Sequence, residues 1–306
     1  MAIKEYSPFQ PGIPVKPGKF VGREQQIEEI DRYLKQVRAG RFQSVFLIGD
    51  RGLGKTSLAT FIQQYAERQY NLLGIHTFLG GVSKLDEIVK RIFDELLKRS
   101  EKESWSKKVK ALFGKNIEEV GMFGINIKFN PPAEKLQELR KNFPDALSHF
   151  LDALKGERSG LLIILDDING TLDNEGFANW FKSLADKVAV SASQFPVFFL
   201  LIGLPEKRNQ LFAQQPSLMR IFQILEIERL SDEEIRNFFI QAFGDANMTV
   251  ENKALEMMVE FSSGLPVLMH EIGDAVFWAD SDGNIDQKDV AEGIAEAANR
   301  IGREYL

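Results

Sequence analysis

The sequence of 306 residues contains no cysteine and only three histidines. Without cysteine the chain has no disulfide, no thiolate metal ligand and no thiol nucleophile. The histidines, His76, His149 and His270, are scattered along the chain without the spacing of a zinc site. The composition therefore excludes cysteine-dependent catalysis and disfavours a zinc enzyme.

Long apolar runs and an excess of positive charge are also missing. No run reaches the ~18 apolar residues of a membrane span, and the N-terminus lacks the apolar segment of a signal peptide. The 38 Lys and Arg residues are outnumbered by 44 Asp and Glu, for a net charge of −6. This balance argues against a chain-wide surface for nucleic acid, but it allows a local basic patch. We expect a soluble, cytoplasmic protein with no membrane partner, folded as one large or two smaller domains.

The most informative stretch begins at Ser44 and reads SVFLIGDRGLGKTSLATF. Its apolar residues 45–48 predict a short buried strand, and the residues from Ser57 onward predict an amphipathic helix. Between them, residues 49–56 fit the pattern G-x-x-x-x-G-K-[ST] at every fixed position. This order of strand, glycine-rich loop and helix predicts a phosphate-binding P-loop rather than an incidental glycine-rich turn.

The residue types in this loop suit the binding of a nucleoside triphosphate. Gly49, Gly52 and Gly54 allow the backbone to form a concave nest of N–H donors, and the following helix adds its positive dipole end. We predict that Lys55 reaches the β- and γ-phosphates and that the Thr56 hydroxyl ligates Mg²⁺. The nucleotide contacts predicted in the loop are Gly49, Asp50, Arg51, Gly52, Leu53, Gly54, Lys55, Thr56 and Ser57.

A second apolar run, residues 161–165, ends in Asp166 and Asp167. A buried parallel strand reads as continuous apolar sequence, and the sites of α/β proteins lie at the carboxyl ends of such strands. We predict that Asp166 holds Mg²⁺ through water and that Asp167 polarises the attacking water. Taken alone, the run would equally fit a strand that ends in a solvated acidic turn, but the P-loop upstream favours the catalytic interpretation.

These motifs resemble those of AAA+ and STAND P-loop ATPases, in particular archaeal and bacterial relatives of the origin-recognition initiator ATPases. The sequence FVGRE at residues 20–24 is similar to a "VGRE" of that group that lines the adenine pocket. The resemblance implies that Val21, Gly22 and Arg23 contact the nucleotide, and the alternative is a capped helix start.

A second phrase, GLP at residues 264–266, is similar to the G-x-P motif of STAND domains. In those domains the proline touches the base, so the resemblance implies the same role for Pro266. A plain turn between two helices is the alternative.

The sequence departs from the AAA+ pattern in the parts that support hydrolysis. AAA+ ATPases mostly have Asp-Glu where this chain has Asp166-Asp167, and Asp-Asp is more typical of STAND proteins. Gly203 stands at a strand end where a polar sensor normally lies, and residues 267–270 lack the arginine of a second sensor. Arg220 precedes the last predicted strand, as an arginine finger for a neighbouring subunit does. The alternative is a helix-end arginine paired with a carboxylate.

The fold implied is an α/β P-loop NTPase, a three-layer arrangement around a parallel sheet, with a C-terminal α-helical lid. We predict an extended, proline-rich lead-in over residues 1–19, an ATPase core over 20–228 and a strand-free helical lid over 229–306. The lead-in is expected to lie as a strap on the main domain, with a ligand for a partner as the alternative.

Within the core, residues 100–132 are predicted to form an insertion that carries a β-hairpin. The segment contains several lysines and aromatic residues, a combination that can contact nucleic acid. It can equally pack on the parent domain or on a neighbouring subunit.

The expected function is Mg²⁺-dependent binding and hydrolysis of ATP, with ADP as the other nucleotide. Hydrolysis would drive conformational change or assembly on a macromolecular partner, with a homo-oligomer possible; the sequence does not identify the partner. The alternative is a slow nucleotide switch or scaffold, which the short Asp167 and the absent sensors favour. A small-molecule kinase is disfavoured because no acceptor-binding lid with clustered arginines is visible.

Overall fold

The computed structural model describes residues 4–14, 20, 22–100, 104–114, 117–120, 126–173 and 176–305. The elements, in chain order, are α1 (Glu24–Arg38), β1 (Gln43–Ile48), α2 (Lys55–Tyr70), β2 (Leu72–Phe78), α3 (Leu85–Ser100), α4 (Ser106–Phe113), β3 (Ile117–Val120), β4 (Asn126–Phe129), α5 (Ala133–Lys141), α6 (Phe143–Leu154), β5 (Gly160–Asp166), α7 (Gly176–Val190), β6 (Val197–Gly203), α8 (Pro205–Gln214), β7 (Gln223–Glu226), α9 (Asp232–Asp245), β8 (Thr249–Val250), α10 (Asn252–Ser262), α11 (Pro266–Ala279), β9 (Asn284–Ile285) and α12 (Gln287–Tyr305). Short 3-10 helices follow β5 (Ile168–Asp173) and α8 (Pro216–Arg220).

The chain divides into two compact units, each with its own apolar core. The helical unit comprises residues 1–23, 50–58 and 227–306, and the sheet unit comprises residues 24–49 and 59–226. The P-loop residues from Asp50 onward therefore belong to the same unit as the C-terminal helices.

The sheet unit is built on five strands in the order β2-β5-β6-β1-β7, and every neighbouring pair is parallel. Every residue of β5 and β6 is buried, as expected for strands that are covered on both faces. The two carboxylates at the end of β5 therefore lie at the carboxyl edge of a parallel sheet. The predicted α/β P-loop fold is confirmed.

The insertion contains the predicted hairpin, since β3 and β4 pair in antiparallel register. It also contains α4, followed after the hairpin by α5, and neither helix was predicted. Trp105 is 1% exposed, and Phe113 packs edge-on against Phe93 of α3 with ring centroids 5.4 Å apart. These buried aromatic rings support the alternative in which the segment packs on the parent domain. Residues 101–103, 115–116 and 121–125 of the insertion lie outside the described residues.

The C-terminal region contains α9 to α12 close to their predicted positions. The predicted capping box is present, with Ser231 accepting from the Glu234 N–H and Glu234 accepting from the Ser231 N–H. The prediction of a strand-free region is wrong, because β8 and β9 form a short parallel pair. Each has two residues, too few to show an alternating pattern in the sequence.

The N-terminal segment packs on these helices. Phe9 is buried among the rings of Phe238, Phe239 and Phe243, and Lys4 forms an ion pair with Asp280. The described part of the lead-in is thus a strap, but it packs on the helical unit and not on the sheet of the main domain.

Candidate functional site

The P-loop occupies the chain between the end of β1 and the start of α2, as predicted. Gly52 and Gly54 have φ angles of 79° and 83°, in the left-handed region that favours glycine. A Cβ atom on Gly52 would lie 2.8 Å from Cγ1 of Val267, so the position has no room for a side chain. The Leu58 N–H donates to the Gly54 carbonyl at 2.9 Å, which closes the first turn of α2 against the loop. The loop is therefore set by glycine conformation and by the helix start.

The Lys55 side chain folds back over the loop. Its Nζ donates to the Asp50 carbonyl at 2.6 Å, while Asp50 and Arg51 themselves are exposed. An ammonium held against a backbone carbonyl can exchange that partner for a phosphate oxygen, which forms a stronger, charge-assisted bond. The geometry thus keeps the positive charge within the loop.

A pocket in the helical unit brings together predicted residues from three separate motifs. The residues that line one recess, partly open to solvent, include Arg23, the P-loop residues Leu53, Gly54 and Ser57, and Pro266. The other walls are largely apolar: Phe20, Leu230, Phe238 and Met269. A slot with apolar walls and a few polar groups suits a flat heteroaromatic base.

Arg23 is the central polar residue of this pocket. It is 7% exposed, its φ is 70°, and its Nη2 donates to the Leu53 carbonyl at 3.3 Å. Burial lowers the pKa of the guanidinium, and the negative charges of Glu234 and Glu228 partly offset that shift. The residue connects the segment before α1 to the P-loop.

Glu234 and Gly22 define the opposite side of Arg23. The Arg23 backbone N–H donates to Oε1 of Glu234 at 3.4 Å, and a Cβ on Gly22 would lie 2.9 Å from that oxygen. Burial acts to raise the pKa of Glu234, but hydrogen bonds from Ser231 and Arg23 outweigh it, so that the pKa is lowered overall. Glu234 therefore serves as both the helix cap and a pocket wall. Val21, the remaining predicted contact of this motif, lies outside the described residues.

Met269 and His270 also line the pocket, at positions where the sequence suggested only a missing arginine. His270 accepts at Nδ1 from the backbone N–H of Gln10, at 3.2 Å. The pocket wall is thus hydrogen-bonded to the N-terminal strap. The one sequence signal that could have placed His270 in the pocket wall is its position one helical turn after Pro266.

The carboxylate pair lies at the end of β5, in the sheet unit. Asp166 is 3% exposed, and its Oδ2 lies 2.9 Å from Nε2 of His76 on β2. Phe78 stacks on the imidazole with ring centroids 4.5 Å apart, which fixes the ring beside the carboxylate. The sequence did not predict a role for His76, because the pairing depends on β2 and β5 being neighbours.

Asp167 differs from Asp166 in exposure and in backbone geometry. It is exposed, and its φ of 56° is unusual for a residue other than glycine. Its Oδ1 accepts from the side-chain amide of Asn169. Its carboxylate is thus open to solvent and positioned by a neutral donor.

Asp166 has the chemistry of a magnesium ligand in a nucleotide site. Among the described residues, no group of three or more His, Cys, Asp or Glu side chains is placed to hold a metal alone. Mg²⁺ in nucleotide sites typically uses one or two protein oxygens, together with phosphate oxygens and water. The buried Asp166 carboxylate is an oxygen ligand of that kind.

Arg220 ends the 3-10 helix before β7 and is exposed. It forms no ion pair with any residue that the structure describes, so the alternative of a carboxylate-paired arginine in its own chain is not seen there. Its role as a finger stays a prediction.

None of the helices in the described segments is long and apolar enough to cross a membrane.

Comparison with known proteins gives one family match. The model of the AAA ATPase domain matches residues 19–199. No curated protein matches the chain at a comparable level.

Several solved structures have a similar fold. The ORC2 protein of Aeropyrum pernix, in ADPNP–ADP complexes, has a TM-score of 0.60 at 16% identity. The match covers 93% of this chain and 69% of that chain. The Walker-type ATPase PABY2304 of Pyrococcus abyssi has a TM-score of 0.58 at 14% identity, over 95% and 74%. The RuvB Holliday junction branch migration motor of Thermotoga maritima has a TM-score of 0.53 at 17% identity, over 92% and 72%. At these identities the likeness establishes the fold.

Proposed function

Because the chain belongs to the AAA ATPase family, we propose that it binds Mg²⁺ and ATP and uses hydrolysis to change conformation or assembly on a macromolecular partner. The observation that carries the proposal is the pocket in which Arg23, the P-loop and Pro266 meet. Three motifs that are far apart in the sequence converge there on one apolar slot. A structural turn at any one of them would not require this convergence.

The pocket binds the base of the nucleotide, and the P-loop binds its phosphates. The apolar walls around Pro266 and Phe238 take the base, and the N–H groups of residues 52–56 face the phosphates. Lys55 leaves the Asp50 carbonyl and pairs with the β- and γ-phosphates. Arg23 holds the pocket to the loop through the Leu53 carbonyl.

The two carboxylates have different roles in hydrolysis, one toward the metal ion and the other toward the attacking water. Asp166 would hold Mg²⁺ through a water ligand, and the Thr56 hydroxyl would be a direct ligand. Bound Mg²⁺ supplies positive charge that stabilises the phosphate oxygens. Asp167 accepts a hydrogen bond from the attacking water, and its exposure leaves it accessible to that water.

Arg220 is proposed to complete this arrangement in a neighbouring subunit. Its guanidinium is exposed and is not neutralised by an ion pair with a described residue of its own chain. An arginine aimed at the γ-phosphate stabilises charge in the transition state. The isolated subunit is therefore expected to bind ATP but to turn it over slowly.

A second candidate is a nucleotide switch that holds ATP or ADP with little turnover. The specific observation in its favour is the side chain of Asp167, which is one methylene shorter than the glutamate of AAA+ relatives, on a left-handed backbone. Gly203 also provides no side chain at the end of β6. In a switch, the bound nucleotide rather than its hydrolysis would set the state of the chain.

The two candidates are separated by turnover as a function of protein concentration, with calorimetry of ATP binding on the same samples. An ATPase with a finger in trans gains specific activity as the concentration rises, whereas a monomeric switch does not. Absence of ATP binding would contradict both. The macromolecular partner, including nucleic acid at the insertion, is tested by adding candidates to this assay.

A further inference from the structure

Asn169 links the exposed carboxylate to the neighbouring strand. Its side-chain Nδ2 donates to Oδ1 of Asp167, and its own Oδ1 accepts from the backbone N–H of Leu204 at 3.1 Å. Leu204 directly follows β6, the neighbour of β5 in the sheet. The Asn169 side-chain amide therefore donates a hydrogen bond to Asp167 and accepts one from the residue that follows β6.

Asp167 needs such a contact to hold one orientation. An exposed aspartate ordinarily samples several rotamers, and its φ of 56° places the side chain on a backbone that only surrounding contacts maintain. Gly80 lies against the other carboxylate oxygen, since a Cβ there would be 3.0 Å from Oδ2. Asn169 and Gly80 thus bracket the carboxylate from two sides.

The end of β6 offers no side chain for this purpose. A Cβ on Gly203 would lie 3.1 Å from the Phe46 ring and 3.3 Å from Ile168, tighter than ordinary contacts. The residue after the strand instead contributes a backbone donor: the Leu204 N–H donates to Oδ1 of Asn169, which lies in the 3-10 helix after β5. The contact between Asp167 and the β6–α8 junction therefore passes through this single amide.

We propose that Asn169 is a positioning residue for ATP hydrolysis: it holds the Asp167 carboxylate in the orientation that accepts a hydrogen bond from the attacking water. The inference rests on the proposed function, since it requires Asp167 to act on water. An amide suits the task because it is uncharged and donates a directional hydrogen bond without forming an ion pair with the carboxylate.

The test uses two substitutions of Asn169 that remove different hydrogen bonds. Asn169→Ala removes both hydrogen bonds, whereas Asn169→Asp keeps the acceptor for Leu204 but removes the donor to Asp167. Both are expected to lower kcat roughly 10- to 100-fold, the range for a misplaced catalytic group, with the Kd for ATP within about twofold of the parent. Asn179→Ala, an exposed asparagine on α7, is the matched control and should behave as the parent.

Binding of ADP with aluminium fluoride gives a readout besides turnover. Positioning of Asp167 predicts that affinity for this transition-state mimic falls together with kcat, while ATP affinity and the thermal unfolding midpoint stay constant. In an Asp167→Asn background, Asn169→Ala should have no further effect on kcat, because the two residues act as one unit.

Parental kcat in Asn169→Asp would overturn the inference, because the amide donor would then be dispensable. An equal fall in ATP and mimic affinity, or a further loss in the Asp167→Asn background, would overturn it as well. Those outcomes leave the proposed function intact. A parent protein that neither binds nor hydrolyses ATP contradicts the proposed function, and this inference with it.

Discussion

The pocket at Arg23 and the carboxylate pair at Asp166 and Asp167 differ in how their polar groups are enclosed. In the pocket, Arg23 is buried, and it is hydrogen-bonded to the P-loop and to Glu234. At the end of β5, Asp166 is buried beside His76, but Asp167 is exposed and held by one amide. A buried, hydrogen-bonded arginine and an exposed carboxylate thus occur in one chain. We infer that binding is built into the single chain, whereas fast hydrolysis needs a further group.

The largest expected effect is on that further group. Replacing Arg220 by Ala should remove the rise of specific activity with protein concentration, a loss of roughly 10³–10⁵ in rate where hydrolysis depends on the finger. ATP affinity should be nearly unchanged, because Arg220 is proposed to act at the site of a neighbouring subunit and not at its own. Phosphate release over a range of protein concentrations measures the loss.

Mixing provides the control for Arg220. Arg220→Ala protein combined with Asp167→Asn protein should recover some turnover, since a mixed interface can pair an intact Asp167 with an intact Arg220. Activity that is independent of concentration, with no recovery on mixing, would assign Arg220 a structural role and favour the monomeric switch.

The next effect concerns the open carboxylate itself. Asp167→Asn should lower kcat by about 10²–10⁴-fold, the contribution typical of a general base, and should retain binding of Mg²⁺ and ATP. Calorimetry and single-turnover hydrolysis on the same protein measure both quantities. Hydrolysis at the parental rate would show that the water is activated elsewhere.

A substitution in the P-loop should change the affinity for ATP. Gly52→Ala places a Cβ at 2.8 Å from Val267 on a backbone with φ of 79°, and we expect ATP binding to weaken by about 1–3 kcal/mol. Gly244→Ala is the matched control, because no atom lies within 4 Å of its Cβ position. Equal ATP affinities of the two variants, measured by calorimetry, would contradict the P-loop geometry.

Much of this molecule is predictable from local sequence patterns. The continuous apolar runs placed β1, β5 and β6, and the glycine and lysine spacing placed the loop at the start of α2. The capping box at Ser231 also follows from a local rule, since its two hydrogen bonds join residues three positions apart.

What could not be predicted depends on contacts between distant segments. His76 meets Asp166 only because β2 and β5 are neighbours, a topology that no local pattern specifies. α5 has no fully buried residue, and only Leu136 and Leu139 pack against the core, a stripe too short to predict a helix from the sequence. Phe9 anchors the strap in a core formed by residues more than two hundred positions away, which proline spacing does not indicate.

Binding of the triphosphate by this P-loop is tested by calorimetric titration of ATP with Mg²⁺ into the parent chain and into Lys55→Ala. Lys253→Ala, at an exposed lysine on α10, is the control. The parent and the control should bind one ATP with the same affinity. Lys55→Ala should lose about 2–5 kcal/mol of binding free energy, because it removes the charge held over the loop. Equal affinities in all three proteins, or no binding to the parent, would contradict the claim that this P-loop holds the triphosphate.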